Sequence, residues 1–198
     1  MKSTRFLAGA ALILALSSCG SPSPTAVDIV TSLAPAVGDT FTDPEGAYTM
    51  TVGRDWTKTV GAGDVEGLGK VLADYAEYWL IPAPSSGFAT SLNVVTLPPL
   101  GIELADFVAG SGRAVENMDG DLKAVQTTMV EGANGSQMGY VEYSGVATGR
   151  EADGPLHYLV MISLRDHGMA VVTLQADEAS FEQQRRAAMP YMLTLQAT

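Results

Sequence analysis

The side chains able to do chemistry in this chain are few and scattered. Its histidines are His157 and His167, and its one cysteine is Cys19. His167 falls at an expected hairpin tip, where an exposed polar residue is ordinary. His157 opens an expected strand after Gly154-Pro155. Either could serve as a base or metal ligand, but a structural surface role explains both positions better. A single cysteine forms no intrachain disulfide and supplies no cysteine-based metal cluster. The carboxylates Glu116, Asp119 and Asp121 gather around Gly120. Asp119-Gly120-Asp121 has a superficial likeness to a calcium loop, yet lacks the ordered ligand series of an EF-hand, and a polar turn ending a helix accounts for it. Asp177 and Glu178 precede a C-terminal helix whose positive end they favour. Asn134-Gly135-Ser136 fits a glycosylation pattern, but the turn chemistry of Asn-Gly explains it better. There is no HExxH helix, phosphate-binding loop or GxSxG elbow, and Ser85-Ser86-Gly87 is a loop following prolines. No catalytic residue, cofactor or metal is expected.

Tyr75, Tyr78, Trp79 and Leu80 form the one aromatic cluster. Aromatic rings with polar tips suit carbohydrate or lipid-headgroup contact. On an alternating strand Tyr75 and Trp79 share one face, and Tyr78 and Leu80 the other. Packing of sheet against helix explains the cluster at least as well, so no ligand-binding residue is assigned.

Cys19 carries the firmest chemistry because of what precedes it. Lys2 and Arg5 give a positive start, Phe6 to Leu16 is apolar throughout, and Leu16-Ser17-Ser18 leads into the cysteine. Positive, apolar and small-residue segments in that order form an export signal. The apolar run falls short of the roughly 20 residues that cross a bilayer. Leu-Ser-Ser-Cys resembles the bacterial lipobox, which implies cleavage before Cys19 and a diacylglyceryl thioether on it. With about 0.8 kcal/mol per buried methylene, two acyl chains hold a protein at a membrane where one does not. The expected location is the extracytoplasmic side of the cell membrane. Charge gives no help: without Lys2 and Arg5, the balance of 11 basic to 22 acidic residues moves from −11 to −13. So acidic a body is repelled by anionic headgroups and by nucleic-acid phosphates, which excludes nucleic acid as an expected partner.

Three segments follow: a signal peptide over residues 1–18, a Ser/Pro/Ala-rich tether over 19–38, and one domain over 39–198. With 46% hydrophobic residues, the domain can bury a sizeable core. Ala47–Val52 alternates as a half-buried strand after the turn Asp43-Pro44-Glu45-Gly46. Asp74–Ile81 and Ser91–Leu97 read as strands closed by prolines. Leu104, Phe107, Val108, Ser111, Val115 and Met118 then follow one helical face. Gly110 and Gly112 each weaken that helix by up to about 1 kcal/mol, so packing must hold it. Lys123–Glu131 and Gln137–Ala147 read as strands joined at Gly132-Ala133-Asn134-Gly135. His157–Arg165 and Met169–Ala176 form a hairpin turning at Asp166-His167-Gly168. Ser180 and Gln183 have capping-box spacing at the start of a last helix, which Pro190 should kink or end. Strands, helix, four strands and helix specify an α+β fold: an antiparallel sheet with two main helices packed against it.

This order, with Phe41-Thr42-Asp43-Pro44-Glu45-Gly46-Ala47-Tyr48, Trp56, Ser91-Leu92-Asn93-Val94-Val95 and Gly139-Tyr140-Val141-Glu142-Tyr143, resembles the LpqN-type lipoproteins of actinobacteria, which have the PsbP-like fold. The resemblance spans Phe41 to Leu195. It implies an envelope location and a binding or accessory role, and brings no catalytic residues. The expected function is that of a non-enzymatic envelope lipoprotein serving envelope lipids, glycolipids or membrane-protein partners. A cryptic hydrolase, or a surface factor contacting host or neighbouring cells, is the alternative.

Overall fold

The computed structural model describes residues 33–59, 76–81, 90–117, 121–146, 154–166 and 168–198. The strands are β1 (Gly38–Thr42), β2 (Tyr48–Gly53), β3 (Thr57–Thr59), β4 (Ala76–Leu80), β5 (Ser91–Leu97), β6 (Lys123–Glu131), β7 (Gln137–Gly145), β8 (Leu156–Arg165), β9 (Gly168–Asp177) and β10 (Gln196–Ala197). Helix α1 is Leu104–Glu116, between β5 and β6, and α2 is Phe181–Met192, between β9 and β10. Seven strands form one antiparallel sheet in the order β3-β4-β5-β9-β8-β7-β6, and β1-β2-β10 form a second.

Alternation along the central strands sorts their side chains to two faces. On β8, Tyr158, Val160 and Ile162 point to one side, where they pack with Phe107, Val108 and Val115 of α1. Leu159 and Met161 point to the other, against Phe181, Met189 and Met192 of α2 and Tyr48 and Met50 of β2. The two helices therefore lie on opposite faces. An antiparallel sheet commonly leaves one face to water. Here β8 and β9 are buried almost from end to end because α1 covers one side, and α2 with the small sheet covers the other.

Helix α1 has the expected apolar face: Phe107, Val108, Ser111 and Val115 are buried, and Met118 lies outside the described residues. The Ser111 hydroxyl donates to the Phe107 carbonyl, 2.8 Å away, one turn back. Gly112 has a packing reason. A Cβ there would stand 2.6 Å from Thr127 Cγ2 of β6, so the missing side chain lets the helix lie close on the sheet.

At α2 one local expectation is corrected, and one of two alternatives for Pro190 is removed. Ser180 has φ −101° and ψ −11°, a helical conformation, and its side chain makes no cap bond, so no capping box forms. Asp177 serves instead, its Oδ1 accepting from the Ser180 N–H at 2.7 Å. Pro190 does not end the helix, which runs on to Met192. Proline forfeits one amide donor there, and the following Leu193 N–H regains a carbonyl at Met189, 3.0 Å away.

The outer strand β6 is interrupted by a register shift between Ala124 and Gln126, and Val125 is left 55% exposed. A bulge and a terminal lysine on an edge strand oppose sheet-to-sheet aggregation.

Candidate functional site

Strand β8 places His157 on the α2 side of the large sheet, its ring 4.5 Å from the Phe181 ring. Its Nδ1 is buried and has no hydrogen-bond partner among the described residues. The alternation that aims Leu159 and Met161 at α2 aims His157 there too, so this side chain helps seat the first turn of the helix. His167 lies outside the described residues. So do Asp119 and Gly120, and nothing is described of the Glu116 side chain. Asp121 is exposed and uses its backbone N–H on the Val146 carbonyl, 3.1 Å away. Among the described residues, no three of His, Cys, Asp and Glu stand close enough to hold a metal ion.

The Asn134 carboxamide is committed to its own turn, accepting from the Ser136 N–H at 3.1 Å and from the Ser136 hydroxyl at 2.6 Å. Gly135 supplies the positive φ of 78° that the turn needs. Cys19 lies outside the described residues, as does Tyr75. Of the aromatic cluster, Trp79 is 2% exposed and meets the Phe41 ring edge-on at 5.3 Å. Trp79 is thus a core residue linking β4 to the small sheet.

Three side-chain groups had no clear signal in the chain. Under α2, the buried Tyr140 hydroxyl donates to Oε2 of Glu142, itself only 7% exposed. The two residues share a face because they are two apart on β7. Burial, and then the Glu142 carboxylate, push the Tyr140 phenol well above its ordinary range. Tyr140 therefore stays a neutral donor, and no substrate in solvent can reach it. Arg185 of α2 lies beside this pair and is salt-bridged to Glu182 at 2.8 Å. Burial opposes its charge, but hydrogen bonds and attraction from Glu182 and Tyr140 together outweigh that and raise it further. The group fixes α2 on the sheet.

On the α1 side, Tyr143 and Tyr158 stack at 4.6 Å and 11°, paired across β7 and β8. Burial, then the neighbouring Tyr158, hold the Tyr143 hydroxyl protonated far into the alkaline range. The third group is half-buried, with Trp56 packed against the edge of the core. Trp56 and Tyr191 lie with ring centroids 4.7 Å apart, and the Tyr191 hydroxyl donates to the Val37 carbonyl at 3.1 Å. This group sits where the chain enters the domain.

Two helices on opposite faces of an antiparallel sheet, with a small second sheet beside α2, define a PsbP-like α+β fold. The cyanobacterial PsbP protein CyanoP from Synechocystis sp. PCC 6803 is similar at a TM-score of 0.57 and 14% identity, over 92% of this chain and 99% of that one. The protein of unknown function PA94 from Pseudomonas aeruginosa is similar at 0.54 and 16% identity, over 79% of this chain and 94% of that one. LpqN, described as involved in cell envelope biogenesis of Mycobacterium tuberculosis, gives 0.48 and 11% identity, over 88% of this chain and 89% of that one. No family model and no curated protein sequence matches the chain. The likeness to CyanoP and PA94 shows the fold, and the narrower LpqN-type kinship is not shown.

Proposed function

We propose that this chain is a lipid-anchored, non-enzymatic accessory protein of a bacterial cell envelope, of LpqN type. It is held at the extracytoplasmic face of the membrane through Cys19 and binds a membrane-protein partner by its surface. The export signal and lipobox support the anchor, and the ordered residues from Phe41 to the last hairpin support the LpqN-type kinship.

The observation that carries surface binding is the closed core. A domain that encloses a lipid or glycolipid needs a chamber of several hundred Å³. The wall atoms of such a chamber would be open to solvent or ligand. Among the described residues Tyr48, Met50, Phe107, Tyr140, Tyr143 and Phe181, from both sides of the sheet, are instead each under 2% exposed. This close packing supports recognition by the outside of the domain.

The test is crosslinking of the full chain in its native membranes beside a Cys19→Ala form, with extraction of lipid from the purified protein. The expected result is a reproducible protein adduct, no stoichiometric lipid other than that on Cys19, and release of Cys19→Ala from the membrane with its fold intact. Stoichiometric extractable glycolipid would overturn the surface reading. A Cys19→Ala protein that is still cleaved and membrane-bound would overturn the anchor.

A further inference from the structure

We infer that the entry end of the domain rests on the lipid surface itself, through an aromatic patch of Val37, Trp56 and Tyr191. The inference builds on the Cys19 anchor proposed above.

Val37 is 71% exposed, the most exposed of the large apolar residues described. Its carbonyl is fixed by the Tyr191 hydroxyl, and the Tyr191 ring carries the Trp56 ring. Gly53 keeps this arrangement open, since a Cβ there would stand 2.6 Å from Trp56 Nε1. Exposed Val37 next to a half-buried tryptophan and tyrosine, whose outer edges reach the surface, combines apolar faces with polar tips. Such residues settle at the level of lipid headgroups.

The chain leading to the patch selects lipid as the occupant. Leu33, which packs on the core, lies four positions before Val37. From Cys19 to Leu33 the chain spans at most about 50 Å fully extended. An acylated Cys19 therefore keeps this end of the domain near the headgroups, at the mM effective concentration typical of short linkers. At that concentration a patch too weak to bind membranes alone is occupied. Beside the patch Arg54 and Asp39, both largely exposed, pair at 3.7 Å, and Asp55 next to Trp56 is exposed as well. The acidic chain as a whole offers anionic lipid no electrostatic pull, so the contact is apolar and resists salt.

The chain has two tryptophans, and Trp79 is buried, so Trp56 reports the patch against an internal reference. The lipidated full-length protein is placed in phosphatidylcholine vesicles with or without bromine on the acyl chains, at low and high salt. Sedimentation and tryptophan emission are both read. The expected result is co-sedimentation, with bromine quenching the Trp56 component and a blue shift of its emission at both salt concentrations. Val37→Asp should lose most of the quenching while still sedimenting, and Trp56→Phe should remove the quenched component. Sedimentation of the wild type without quenching overturns the inference and leaves the anchor standing. Failure to sediment overturns the anchor and the inference with it. Shielding of Trp56 that follows protein concentration without vesicles assigns the patch to a second copy of the chain and also overturns it.

Discussion

Gly139→Ala tests the placement of α1 on the sheet, with a magnitude set by the close approach of Val108 to β7. An added Cβ would stand 2.3 Å from Val108 Cγ2 of α1, and 3.2 and 3.3 Å from Cβ and Cδ1 of Ile162. Carbon atoms pack best at about 3.5–4.0 Å, so the helix must withdraw by roughly 1.2 Å or more. Val108 has little means of swinging aside, because a valine in a helix has one strongly preferred rotamer. Overpacking of this kind costs about 1–3 kcal/mol, and replacing glycine returns about 0.4–1 kcal/mol by restricting the unfolded chain. The expected net loss is about 1–2 kcal/mol, which should lower the melting temperature by several degrees. Val108→Ala alone should cost about 1.6 kcal/mol or somewhat more for the two carbons removed. In the double variant the new methyl fills the space that Val108 vacates. Its stability should match Val108→Ala to within about 0.5 kcal/mol, a coupling of about 1–2 kcal/mol in the double-mutant cycle. Urea unfolding of the full chain, followed by the emission of the buried Trp79, measures all four forms. A Gly139→Ala protein as stable as the parent, or simple additivity in the double variant, would refute this packing.

Two further outcomes follow from the polar groups. Asp177→Ala removes the acceptor of the Ser180 N–H at the start of α2 and should cost about 1 kcal/mol in the same unfolding assay, with Asp177→Asn losing less. The phenols of Tyr140 and Tyr143 lie above their ordinary value of 10.0 in the folded protein, chiefly through burial. The unfolded chain gives up these protons first, so their contribution is complete below pH 10 and is lost as the pH rises through the folded values. Ultraviolet titration of tyrosinate should therefore show at least two of the seven tyrosines unreacted above pH 10 until the protein unfolds, and alkaline stability should fall over that range. Tyr140→Phe and Tyr143→Phe should each remove one of the late phenols. Titration of both with the exposed tyrosines would contradict their burial.

The elements that were legible in the chain are those with a strong period of their own. Ser91–Leu97 and Lys123–Glu131 have the limits that alternation and prolines indicate, and the buried face of α1 follows its heptad-like spacing. Strands β1, β3 and β10 were not legible. They are five, three and two residues long, too short for a period, and exist through pairing with β2 and β4. The Ser180 capping spacing misled for a related reason: Asp177, just upstream, bonds the Ser180 amide and holds that residue in a helical conformation. The aromatic cluster was legible as a choice between ligand contact and packing, and burial of Trp79 against Phe41 decides it for that residue.

The chain by itself determines what composition and local periodicity can encode: a lone cysteine after an apolar run, an acidic balance, and the α+β order of strands and helices. Which side of the sheet each helix covers was decided only by the tertiary structure. A helix with one apolar stripe fits either face of a sheet that is apolar on both, and the choice depends on contacts between residues far apart in the chain. Gly112 and Gly139 show why. Locally each weakens its element, and only the close approach of α1 to β6 and β7 gives the missing side chains a purpose. The patch beside the entry to the domain arose in the same way, from Val37, Trp56 and Tyr191 meeting across more than 150 positions.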